Sequence, residues 1–284
     1  MKVKEKVMEI VFLIAACVSI LAVMLICVFL FSSGIPAIGK IGPLNFLGGT
    51  VWKPSNNLFG ILPMILGSIY VTAGAIVIGV PIGIFMAVFM ARFCPSGLYK
   101  ILKPAVELLA GIPSIVYGFF GMEVLVPMLR DVFADFNCKG NSMLAASILL
   151  GIMILPTIIG VSESAIRAVP NSYYEGSLAL GADHERSVFF AVLPAAKSGI
   201  LAGVVLGIGR AIGETMAVIM VAGNQPVIAH SIFKGVRTMT ANVVIEMGYA
   251  TGLHREALIA TGVVLFVFIL LINLLFSVIK RREK

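Results

Sequence analysis

Pro170-Asn171-Ser172-Tyr173-Tyr174-Glu175-Gly176-Ser177-Leu178-Ala179-Leu180-Gly181 is a polar interruption between two long apolar stretches, and its spacing is that of an ordered element. Ser172 and Glu175 form an S-x-x-E capping box, in which each side chain satisfies an amide of the first helical turn, so a helix is expected to start here. Gly181 is placed to end it in the left-handed conformation that side chains disfavour. Asp183 then caps a second helix, expected to run to Leu193-Pro194. Two short capped helices make a stiff knob able to transmit force from a partner.

Working outward, the chain around this knob is too apolar for a soluble domain. Of 284 residues, 60% are hydrophobic and only 12% charged, with a mean hydropathy of +1.07, whereas soluble domains are about one quarter charged. Such a surface must face lipid. Six stretches reach the ~20 apolar residues that a membrane span requires: 10–31, 65–90, 104–127, 143–161, 199–222 and 257–279. The expected fold is therefore all-α, a polytopic membrane protein with six transmembrane helices. The first stretch follows Lys2, Lys4 and Lys6 as a signal peptide would. Its apolar run is too long for that, and no A-x-A site follows, so it reads as a retained anchor helix.

The formal charge of +7 sits in short segments between the apolar runs, which is how topology is written and not how nucleic acid is bound. With both termini inside, the knob is cytoplasmic. Thirteen Lys and Arg then lie inside and seven outside, Arg210 alone falling within a span; the excess favours N-in and C-in. Two sizeable segments, 32–60 and 223–256, lie outside. The second mixes Pro226, His230, Thr238, Thr240, Asn242 and Glu246 with Val243, Val244 and Ile245. Such a mixture suits either a segment that dips in to line a vestibule or an ordinary surface loop.

The knob resembles the EAA loop of ABC-importer permeases: Glu-Ala-Ala, three residues, Gly, nine residues, then Ile-x-Leu-Pro. Glu175, Gly181, Leu193 and Pro194 match in register, Gly176 and Ser177 replace the alanines, and Ala191 stands where Ile is usual. The resemblance implies a coupling helix seated in a separate ATPase subunit. No G-x-x-x-x-G-K-[ST] loop occurs, so ATP-Mg is expected in the partner and no cofactor in this chain. Gly207-Ile208-Gly209-Arg210-Ala211-Ile212-Gly213 has the wrong spacing for a dinucleotide loop and lies in an apolar helix.

Phe46-Leu-Gly-Gly-Thr-Val-Trp52-Lys-Pro54 with Phe59-Gly-Ile-Leu-Pro63, Glu107-Leu-Leu-Ala-Gly111-Ile-Pro113-Ser114-Ile-Val-Tyr117-Gly118, Arg210-Ala-Ile-Gly213-Glu214-Thr-Met-Ala and Arg237-Thr-Met-Thr-Ala-Asn242 are similar to stretches of the C-type permease subunits of phosphate-specific (Pst) ABC importers. The resemblance runs from about Phe46 to Asn273. It implies the type I ABC importer (MetI-like) permease fold: an anchor helix and outer loop over 1–67, a core over 68–277 with a coupling loop at 163–197, and a basic tail over 278–284. It further implies a heterodimer with an A-type permease, two copies of an ATP-binding subunit, an extracytoplasmic phosphate-binding protein and the prokaryotic plasma (inner) membrane.

Arg210 lies near the middle of the fifth stretch, where a charge costs at least ~2.5–3.5 kcal/mol and normally faces a bundle interior or a water-filled path. Glu214, one turn on, is expected on the same helix face, neutralising it. The planar guanidinium suits an oxyanion, to which it donates paired hydrogen bonds. Two readings stand: a substrate path, in which Glu214 also accepts a hydrogen bond from the protonated oxygen that phosphate keeps and sulfate lacks, or an ion pair that locks packing. Glu107 is expected to pair with a neighbouring base or to reach the interface. Pro113 and Pro81 are expected to break their helices, as pivots for alternating access or as packing features.

Cys17, Cys27, Cys94 and Cys138 form no metal or disulfide pattern, and His184, His230 and His254 are too dispersed for a metal site and read as solvated or capping residues. No nucleophile–base pair suggests an enzyme. A permease for sulfate, molybdate or phosphonate, and a secondary transporter or channel without an ATPase, remain as alternatives; the latter leaves the knob unexplained.

Overall fold

The computed structural model describes residues 2–136 and 138–282; Glu283 and Lys284 of the expected basic tail lie outside the described residues. The order is α1 (Lys2–Ile41), α2 (Pro43–Gly48), β1 (Trp52–Lys53), β2 (Leu58–Phe59), α3 (Leu62–Val88), α4 (Ser96–Gly111), α5 (Ser114–Phe120), α6 (Val126–Val132), α7 (Met143–Arg167), α8 (Asn171–Ala179), α9 (His184–Ser187), α10 (Leu193–Gly213), α11 (Met216–Val221), α12 (Met239–Met247) and α13 (Gly252–Arg282). Single turns of π-helix join α3 to Phe93, α5 to α6 and α9 to α10. Among the described residues five continuous helical segments are long and apolar enough to cross a membrane, and one bent pair brings the number to six when counted as one span.

The core forms where small residues let helices approach, as packing within lipid favours. A Cβ on Gly79 of α3 would meet the Gly151 carbonyl of α7 at 2.7 Å, and one on Gly207 of α10 would meet Ile158 at 2.8 Å. Leu149, Leu150, Ile154 and Ile158 of α7 are buried in this α3–α7–α10–α11 nest. α1 stands apart: its apolar residues from Val7 to Phe29 are exposed, as lipid-facing residues are. Only its outer third seats on α13, where Gly34 meets Val263 and Ala260 and Phe31 packs edge-on to Phe266 at 5.7 Å.

Three expectations about the spans need correction. The third is no single helix over 104–127: Ile112 and Pro113 are extended, and the halves Ser96–Gly111 and Ser114–Val132 meet at 96°. α3, by contrast, runs unbroken through Pro81. Gly79 and Gly83 press the helix onto Ile154 and Ile158, so packing holds the turn that proline weakens; Gly111, beside Pro113, has nothing packed against it. The second helix of the knob does not stop at Leu193-Pro194 but continues from His184 to Gly213 as one segment. Pro194 sits in the first turn of α10 directly after the π turn, where a missing amide costs little.

The segment 223–256, expected outside, folds back onto the bundle. Met239, Thr240, Ala241, Asn242 and Glu246 of α12 are buried, covered by Phe46, Trp52, Phe59 and Ile61 from the α2–β2 lid. The lid is a two-stranded hairpin pairing Trp52 with Phe59, turned by Asn57 at φ 56°.

Candidate functional site

α10 ends at Gly213, and Glu214 is extended (φ −68°, ψ 132°) before α11 restarts at Met216. The expected Arg210–Glu214 pair is therefore not formed, because an i, i+4 pair needs an unbroken turn between its members. The Glu214 carboxylate instead caps α11: its Oε1 accepts from the Thr215 amide at 3.1 Å and the Ala217 amide at 3.4 Å. Thr240 of α12 donates its hydroxyl to the Glu214 carbonyl at 3.2 Å, tying the break to the folded-back segment. Arg210 stays on α10, exposed like Leu206 and Gly213. No hydrogen bond or ion pair holds its guanidinium among the described residues, so a cation is left exposed on this face of α10.

Above the break, Glu246 of α12 gathers three donors: Trp52 Nε1 at 2.9 Å, His254 Nε2 at 2.8 Å and Arg237 Nη1. Arg237 also donates to the Asn242 side chain at 3.0 Å and, through Nε, to the Asn224 carbonyl at 2.9 Å. His254 is thus neither solvated nor a cap, and the hairpin is fastened to the core by a buried charge. Burial, and then the Glu246 carboxylate, push the Tyr249 phenol upward from its ordinary value. Asn242 Nδ2 is buried without a partner among the described residues.

In the knob, α8 begins at Asn171 with Pro170 at its N-cap, and Ser172 makes no capping bond. The capping box is not used, because the helix starts two residues early. Its other end is as read: Gly181 has φ 87°, its amide donates to the Leu178 carbonyl at 2.9 Å, and the Ala182 amide donates to that of Ser177 at 3.2 Å, the paired bonds of a Schellman end. Asp183 caps α9 through the Arg186 amide at 2.7 Å. Tyr174 and His184 hydrogen-bond across the two helices at 2.8 Å. Glu175, Gly176 and Leu180 are exposed, Leu180 to 91%. A Cβ on Gly176 would touch nothing in this chain.

Two features escaped the sequence reading. Glu163 of α7 is 1% exposed and binds Tyr99 Oη, Lys103 Nζ and Arg167 Nε, each at 2.7 Å; the Glu163–Arg167 spacing was a visible signal for one of the three. Lys103 thereby prefers Glu163 to Glu107, which it approaches only to 4.0 Å. Glu123 lies exposed near the middle of Ser114–Val132, a second charge on a face deep in the spans. Among the described residues no group of His, Cys, Asp and Glu could hold a metal.

A multi-pass helical bundle with an exposed knob, and a cation without a partner among the described residues on a spanning helix, has the architecture of the membrane component of a transporter. Residues 79–284 match the family described as the binding-protein-dependent transport system inner membrane component, and the chain belongs to that family. It is 39% identical over 93% of its length, and 89% of the relative's, to the probable ABC transporter permease protein YqgH of Bacillus subtilis. It is 35% identical over 87% of its length, and 81% of the relative's, to the phosphate transport system permease protein PstC of Mesorhizobium japonicum. Among solved structures, a chain of the MetNI methionine ABC transporter shares the fold at a TM-score of 0.64 and 19% identity, covering 82% of this chain and all of that one.

Proposed function

We propose that this chain is a permease subunit of an ABC importer for inorganic phosphate. The observation that carries the reading is Arg210: a guanidinium without a partner among the described residues, one turn before the Glu214–Thr215 break, on an exposed face of a spanning helix. A second, A-type permease would cover that face, leaving Arg210 and Glu214 along the path between the subunits. The phosphate assignment is supported by relatives such as PstC of Mesorhizobium japonicum. Glu175, Gly176, Ser177, Gly181, Leu193 and Pro194 would transmit the stroke of one of two ATPase subunits, which bind ATP-Mg. An extracytoplasmic phosphate-binding protein would deliver substrate to the α12 side. The anchor helix of 1–67 and the core 68–277 would sit in the prokaryotic plasma membrane, with both termini inside, the outer loop of 1–67 outside and the basic tail 278–284 in the cytoplasm, a placement supported by the Lys and Arg distribution.

The test is isolation of the chain with its partners, followed by uptake into vesicles. ATP-dependent accumulation of phosphate and exclusion of sulfate is expected. Failure of any ATPase subunit to co-purify with the chain from its native membrane, or a complex indifferent to phosphate, sinks the reading.

A further inference from the structure

Side chains from three elements converge where α7 leaves the bundle for the knob. Glu163 Oε2 accepts from Lys103 Nζ of α4, and Oε1 accepts from Tyr99 of α4 and Arg167 of α7. Arg167 lies 4.4 Å over the Tyr99 ring and sends Nη2 to the Met90 carbonyl at 2.7 Å, while Arg92 Nη2 donates to the Ile166 carbonyl at 3.2 Å. Among the described residues none of these groups bonds to Glu214 or Thr215 at the break, which bond to Gly213, Ala217 and Thr240, so a role at the break does not account for them. Adhesion alone does not either: apolar residues of similar volume would hold α4 on α7 without burying a carboxylate, which here is 1% exposed. What such a cluster adds is one fixed register.

That register joins two moving parts. On one side, Ile166 and Val169 pack with Val188 and Val192 at the root of the knob. On the other, α4 runs to the 96° bend at Ile112-Pro113, beyond which α5 presses on α11: a Cβ on Gly118 would meet Met220 at 2.6 Å and Ala217 at 3.0 Å. α11 is the segment that starts after the break at Glu214–Thr215. We propose that Glu163 is a positioning residue for transport, fastening α4 to the root of the knob. α4 then carries knob movement to the Pro113 bend and, through α5 on α11, to the break beside Arg210. This rests on the permease reading above.

The experiment reads substrate imported per ATP hydrolysed by the full transporter in vesicles. The wild type comes first: if it moves sulfate or another oxyanion in place of phosphate, the substrate assignment fails alone and the ratio is read with that ion. Glu163→Gln should leave ATP hydrolysis running while the ratio falls about tenfold, mid-range for a coupling free energy; an unchanged ratio overturns the proposal. Because a buried substitution can block assembly, a second variant carries Lys103→Cys and Glu163→Cys with the four native cysteines replaced by serine. Joining the new thiols with a cleavable bismaleimide should raise the ratio toward wild type, and cleavage should lower it again. A normal ratio without the tether, or no recovery with it, overturns the proposal equally.

Discussion

Replacing Glu246 should cost more than replacing any one of its partners, because Trp52, His254 and Arg237 would lose a charged acceptor together. Glu246→Gln leaves Arg237 buried beside a neutral amide, and breaking such a pair from one side costs about 3–5 kcal/mol. Trp52→Phe removes one donor while the carboxylate keeps two, at about 1 kcal/mol. Thermal unfolding of the purified chain in detergent checks the order: the Gln variant should melt well below the Phe variant, and a reversed order would refute the account. At this scale the sequence was only half legible. Arg210 and Glu214 stood four apart, which marks a pair only if the helix continues, and nothing local told Gly213 as a helix end from the many glycines of membrane helices. Glu246 and His254 were read apart because Trp52, which joins them to the hairpin, is 194 residues from Glu246.

The knob is legible as an element because its signals are local. Gly181 and Asp183 act within a few residues of themselves, and both do what their spacing predicts. The capping box failed because Pro170, with its fixed φ, already starts a helix two residues earlier. Gly176 lies on a surface that its own chain leaves empty, which separates docking from folding. Gly176→Trp should leave the chain's helicity and melting unchanged while retention of the ATPase subunit falls about tenfold, equivalent to roughly 1.4 kcal/mol of lost contact. Co-purification from the same membranes measures this, and undiminished retention would move the docking surface elsewhere. The break at Pro113 was legible from its proline, but its 96° angle was not, since hydropathy counts length and is blind to direction. Pro81 and Pro113 differ only in what packs around them, which is a property of neighbours distant in sequence.

For the whole molecule, the number of spans and the all-α class follow from apolar runs long enough to be unmistakable, and the family follows from the motif resemblance carried by Glu175, Gly181, Leu193 and Pro194. What the sequence of one chain withholds is what a second chain covers. Arg210, Glu123 and the exposed Phe119, Phe120 and Met122 lie on faces whose partner is another polypeptide or lipid. Arg210→Cys should react with a charged, water-soluble thiol reagent when the chain is purified alone and lose most of that reactivity in the complete transporter with phosphate present. Equal labelling in both would take the residue off the path.

His184 through Gly213 form one continuous helical segment, with a π turn at Val188–Val192, so the second half of the knob and the turn that presents Arg210 share a single shaft. Torque applied at that end of the shaft would sweep the guanidinium through the same arc, and a protein built this way can turn its cation toward or away from an anion by rotating one segment.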